Sequence, residues 1–138
     1  MFLNKLKRLR NLDSVLVQGS KVTADGVGHL SEVEKLESLT LCGNAIGVGG
    51  FAHLGKLTRL RYLNLESTHC TDHDVALLIP LANLTDLDLG YNPGVTDSGL
   101  RHLIGLRKLA GLRLYETKVT DDGVAELKKA LPRLSVGK

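Results

Sequence analysis

The chain has 138 residues with 43% hydrophobic content and a formal net charge of +3, which fits one folded domain and excludes a disordered chain. A pI near 9.0 alone permits a nucleic-acid partner, but +3 over this length is a weak field, and aromatic residues are scarce at 4%. The two cysteines, Cys42 and Cys70, form neither a disulfide framework nor zinc-site spacing.

The opening MFLNKLKRLRNL is basic but has no uninterrupted apolar run, so no signal peptide is read there. No stretch approaches the roughly 18 apolar residues of a membrane span. The expectation is a chain of the cell interior without a membrane partner. Leu3, Leu6 and Leu9 read as the helix of a partial first repeat over residues 1–11. Full repeats then open at Leu12, Leu36, Leu60, Leu84 and Leu109, and a truncated last strand occupies 134–138. Successive openings, including Leu134, are 24, 24, 24, 25 and 25 residues apart. Each unit passes from period-2 to roughly 3.6-type spacing, which reads as strand, turn and short helix.

The openings LDSVLV, LESLTL, LRYLNL, LTDLDL and LAGLRL, followed by VTADGV, VTDSGL and VTDDGV, resemble the leucine-rich repeat family. Within it they are most similar to the cysteine-containing-like subclass, with its [IV]-T-D-x-G-[LV] helix start. The resemblance implies a right-handed α/β solenoid with a parallel concave sheet and short convex helices, a fold used widely as a binding platform. Members of that subclass are often joined to an F-box. No such segment precedes the repeats here, and a ubiquitin-ligase role is not expected.

Periodicity leads independently to the same architecture. Val15 and Val17, Leu39 and Leu41, Leu63 and Leu65, Leu87 and Leu89, and Leu112 and Leu114 should point inward. Val22, Ile46, Cys70, Val95 and Val119 form a second inward column after the turn. One unit cannot bury its apolar face alone, but stacked units share a continuous core. Ser20, Asn44, Thr68, Asn92 and Thr117 should satisfy turn backbone groups. Thr23, Thr71, Thr96 and Thr120 read as helix N-caps, with Asp72, Asp97 and Asp121 at the positive end of the helix dipole. Unit two departs: Ile46-Gly47-Val48-Gly49-Gly50 has no cap, and an irregular or mobile helix start is expected. Pro80 and Pro132 should mark helix ends.

Both ends look cut. A fragment, self-association through exposed terminal repeats, and capping by Lys5, Lys7, Arg8 and Arg10 are the three readings.

Candidate chemistry is sparse. His29, His53 and His102 share one helix position, and helices about 8–10 Å apart suit repeat inheritance better than a shared metal. His69 and His73 flank Cys70, whose inward position argues for packing. No nucleophile, histidine and orienting acid assemble, so no enzyme, cofactor or metal is expected.

Outward strand positions are free of the repeat's demands and therefore carry more information. Tyr62, Asn64 and Glu66, Asp86 and Asp88, and Arg113 and Tyr115 should meet on the concave face, with Tyr91 beside it. Gly90 and Gly111 should leave a notch among them. Tyrosines around a notch suit a protein-binding site, and the expected function is non-catalytic protein recognition there. The competing reading pairs Asp88 with Arg113 on an inert sheet. Glu66, Asp86 and Asp88 are oxygen donors suited to a divalent cation, but no ligand loop frames them. Lys35, Arg59, Arg61, Arg107, Lys108 and Arg133 form a basic rim without interleaved aromatics, which argues against a nucleic-acid partner.

Overall fold

A computed structural model describes residues 11–138, so the proposed partial repeat and its basic cap fall outside the described residues except for Asn11. Six strands form one parallel sheet in the order in which they occur along the chain. They are β1 (Ser14–Leu16), β2 (Ser38–Thr40), β3 (Tyr62–Asn64), β4 (Asp86–Asp88), β5 (Gly111–Arg113) and β6 (Ser135–Gly137). Between them lie α1 (Ala24–Leu30), α2 (Gly47–Leu54), α3 (Asp72–Ala76), α4 (Asp97–Leu100) and α5 (Asp121–Ala130), with a 3-10 turn Arg101–Gly105 after α4. This is the leucine-rich repeat solenoid, an open parallel sheet backed by short helices.

The register follows the repeat through β5, with Val15, Leu39, Leu63, Leu87 and Leu112 aligned across the sheet, and β6 sets Val136 beside Leu112, one residue earlier than the count from Leu134. Leu39, Leu63, Leu87 and Leu112 are buried, as are the post-turn column Val22, Ile46, Cys70, Val95 and Val119 and the convex leucines through Leu131. Val17 and Val124 are only partly buried and pack against this core from its edges. Removing each fully buried side chain from water stabilises the fold by roughly 1.5–3 kcal/mol before entropy is counted.

Unit two starts irregularly, as its glycines suggest: α2 runs for 8 residues from an αR N-cap at Ile46, without any side-chain cap bond, and Gly47 at its start holds a left-handed φ of 64°. Buried Phe51 and Leu54 hold it on the core, so packing replaces the missing cap. In unit three α3 stops at Ala76, well before Pro80, and Leu78 and Leu81 are buried from turns instead of helix.

Polar ladders join the repeats. The Asn92 Oδ1 accepts from the backbone N–H groups of Thr68 and Cys70, and its Nδ2 donates to the carbonyls of Leu65, Leu89 and Gly90. Asn44 does the same between units one and two, accepting from Ser20 and Val22 and donating to Val17, Leu41 and Cys42. Thr68 and Thr117 reach only the carbonyls of their own units, Leu65 and Leu114.

Candidate functional site

The parallel register sets the expected concave residues in three rows. Ser38, Tyr62, Asp86, Gly111 and Ser135 make one row, and Thr40, Asn64, Asp88, Arg113 and Gly137 the next. Cys42, Glu66, Gly90 and Tyr115 follow the strands in a third. Neighbours within a row are about 4.8 Å apart. The sheet thus brings together Tyr62, Asn64, Glu66, Asp86, Asp88, Arg113 and Tyr115. Tyr91 is on the turn that follows β4, where its N–H donates to the Tyr115 carbonyl at 2.6 Å, and it is 54% exposed.

Each carboxylate has its own setting. Asp88 is buried to 6% exposure, unlike the open position that alternation predicts. Its Oδ1 accepts from the Gly90 N–H at 2.9 Å, which folds the side chain back onto the chain. Its Oδ2 stands 3.9 Å from Arg113 Nη1, a loose pair whose guanidinium remains largely exposed. Asn64 repeats the first of these contacts with the Glu66 N–H. Asp86 accepts from the Thr85 hydroxyl through Oδ2, and its Oδ1 lies across Gly111, where any Cβ would collide with it. The Glu66 carboxylate has no hydrogen bond or ion pair among the described residues.

The expected notch is consequently half filled. Gly90 and Gly111 leave room for the Asp88 and Asp86 carboxylates, which occupy it. The open volume lies further along. A groove of about 420 Å3 is lined by Asp86, Gly111, Arg113, Tyr115, Ser135 and Gly137. Tyr115 leans over Gly137, where the absence of a side chain admits its ring. Ser135 and Gly137 complete this surface, Thr85 holds Asp86 from beside it, and none of the three was among the expected site residues. Counted from Leu134, the repeat puts Val136 in the Tyr62 row, whereas β6 pairs Ser135 with Gly111, so the spacing carried no signal for Ser135.

Tyr91 and Glu116 hold left-handed φ values of 55° and 54°, at the repeat position where units one and two carry Gly19 and Gly43. Their backbone is strained by about 1 kcal/mol each relative to glycine.

Cys42 is partly exposed on the same face. Its thiol is raised above the usual range, first by burial and then by the negative charges of Glu66 and Asp88, so it is a poor nucleophile. Cys70 is fully buried, and burial followed by Asp74 and Asp72 pushes its thiol up further. Among the described residues no hydrogen bond joins a serine, threonine or cysteine to a histidine, and no three His, Cys, Asp or Glu side chains converge as metal ligands. The His53 ring packs against Gly28 of α1 on the convex side. On the basic rim, Arg59 meets Glu37 at 3.5 Å, Lys108 meets Asn83 at 2.7 Å and Arg107 meets the Ala130 carbonyl at 3.3 Å. Lys108 and Arg107 thereby reach a neighbouring repeat, while Arg59 and Glu37 join the two ends of unit two. No helix among the described residues is long and apolar enough to cross a membrane.

No protein-family profile and no curated protein sequence matches the chain. Solved structures do. An internalin of Listeria monocytogenes superposes with a TM-score of 0.78 at 23% identity, over 98% of this chain and 37% of its own. A leucine-rich repeat protein of Leptospira interrogans gives 0.73 at 19% identity, over 98% of this chain and 33% of its own. A Bacteroides fragilis protein gives 0.64 at 21% identity, over 91% and 40%. The chain therefore spans between a third and two fifths of the length of these structures, and at such identities the likeness is one of fold.

Proposed function

We propose that the chain is a non-catalytic protein-recognition module whose concave sheet, centred on β3 to β5, contacts a protein partner. One observation carries this reading. Tyr62 is paired in register with Asp86, and Tyr115, 47% exposed, lines an open groove together with Asp86, all at positions that the repeat leaves free. Tyrosine offers a large amphipathic surface at low entropic cost, and such residues dominate protein interfaces. The leucine-rich repeat fold is in keeping with this, since its curved sheet is an extended binding surface.

The test is affinity capture from native lysate with the chain and with a Tyr62→Ala/Asp86→Asn/Tyr115→Ala variant. Asp88 is left intact because its bond to Gly90 is structural. The variant should lose its partner by roughly a hundredfold in affinity, with a melting temperature close to that of the parent. Full-affinity capture by a folded triple variant would overturn the assignment to this face.

A further inference from the structure

We propose that the concave face takes a basic segment of its partner, with a lysine or arginine seated over β3 to β5 between Tyr62 and Tyr115. This rests on the concave-face reading and names the chemistry of what binds.

Charge complementarity is the first argument. The whole chain has 18 basic and 15 acidic residues, yet along β3 to β5 the concave rows carry Glu66, Asp86 and Asp88 against Arg113. Arg59, Arg61 and Lys108 line a separate groove with Glu37, Asn83 and Thr85, at the end from which the chain enters the strands. A local excess of carboxylate on a chain of net positive charge favours a cationic partner and repels phosphate backbones.

The second argument is what these carboxylates leave unused. Asp86 Oδ1 has no hydrogen-bond donor, and neither oxygen of Glu66 has one among the described residues. Asp86 is nevertheless fixed, by Thr85 on one side and by the gap over Gly111 on the other. An ammonium or guanidinium would meet acceptors already oriented, with aromatic rings at hand for its aliphatic stem. The groove beyond Gly111, of about 420 Å3, adjoins the Asp86 carboxylate and gives a cationic side chain room to reach it.

The experiment is selection of a displayed random-peptide library on the intact chain and, in parallel, on its Glu66→Gln/Asp86→Asn variant, with binding sites mapped by amide shifts. Peptides selected by the parent should be enriched in lysine and arginine and should shift β3 to β5. Their affinity should fall at least tenfold in the neutralised variant, while the melting temperature stays the same. Gly111→Ala, which displaces the Asp86 carboxylate by a side-chain movement alone, should weaken them in the same direction. Peptides that map to the concave face without basic enrichment, or that bind the neutralised variant equally well, overturn this inference and leave the concave-face reading in place. Peptides that map elsewhere, or no binder from the library, count against both.

Discussion

Asp72 and Asp97, each the first residue of its helix, join that repeat to the one that follows. Asp72 accepts from both the backbone N–H and the hydroxyl of Thr96, and Asp97 does the same for Thr120. The glycines of the motif follow from this contact. A Cβ at Gly99 or Gly123 would collide with the carboxylate from the preceding unit. Unit two has Val48 in the corresponding position, and unit three then carries Asp74 where the others have glycine. Asp74 supplies from within its own helix the oxygen that Thr71 needs, through Oδ2, while its buried Oδ1 has no partner. Sequence reading identified the threonines as caps but placed the aspartates with the helix dipole alone, because the partner of each is 23 or 24 residues away. Two predictions belong here. Hydrogen bonds from the Thr120 hydroxyl and then its N–H hold the Asp97 carboxyl below the ordinary carboxylate range. A carboxyl depressed in the folded state stabilises above its unfolded pKa, and that contribution is lost as pH falls through the folded value. The melting temperature should therefore drop on acidification below about pH 4, and Asp97→Asn should reduce that slope. Tyr91 sits at φ 55°, so Tyr91→Gly should be more stable than Tyr91→Ala by about 1 kcal/mol in urea unfolding, the reverse of the usual order.

At the scale of the repeat, the turns do not contribute equally. Asn44 and Asn92 are wholly buried and reach back into the unit before them, so they staple units one to two and three to four. Threonine has no second polar group with which to do this, and units two and four are joined forward without such a staple. Asn92→Ala would leave the N–H groups of Thr68 and Cys70 and the Leu89 carbonyl without these partners away from water, while the Leu65 and Gly90 carbonyls keep the Thr68 hydroxyl and the Ser67 N–H. It should cost roughly 3 kcal/mol or more, whereas Thr117→Ala at a half-exposed turn should cost about 1 kcal/mol. Equilibrium unfolding of the two variants side by side checks the ranking. The column itself was legible because small polar residues recur at one position. Its division into asparagine that bridges and threonine that does not became clear only with the neighbouring turn in place. In unit two, likewise, buried Phe51 holds on the core a helix whose start is irregular and uncapped.

Across the whole molecule, a continuous aliphatic core ties the repeats into one body. Leu87 is 1% exposed in the middle of the sheet, between Leu63 and Leu112. Leu87→Asp would bury a charge without a partner and should abolish the cooperative thermal transition, while the exposed Leu16→Asp should change it little. A wild-type melt for the first variant would contradict the register itself. The repeat length, the inward columns, the parallel stack and the face shared by Tyr62, Asp86, Arg113 and Tyr115 are legible along the chain. These follow from periodicity, which is a local property repeated at fixed spacing. That Asp88 is folded back onto Gly90, that the Asp86 carboxylate fills the expected notch over Gly111, and that the open groove lies towards Ser135 and Gly137 emerge from the packing of neighbouring strands. Those outcomes depend on which side chain occupies the space its neighbour leaves, and that competition is settled between strands about 4.8 Å apart, not along the chain.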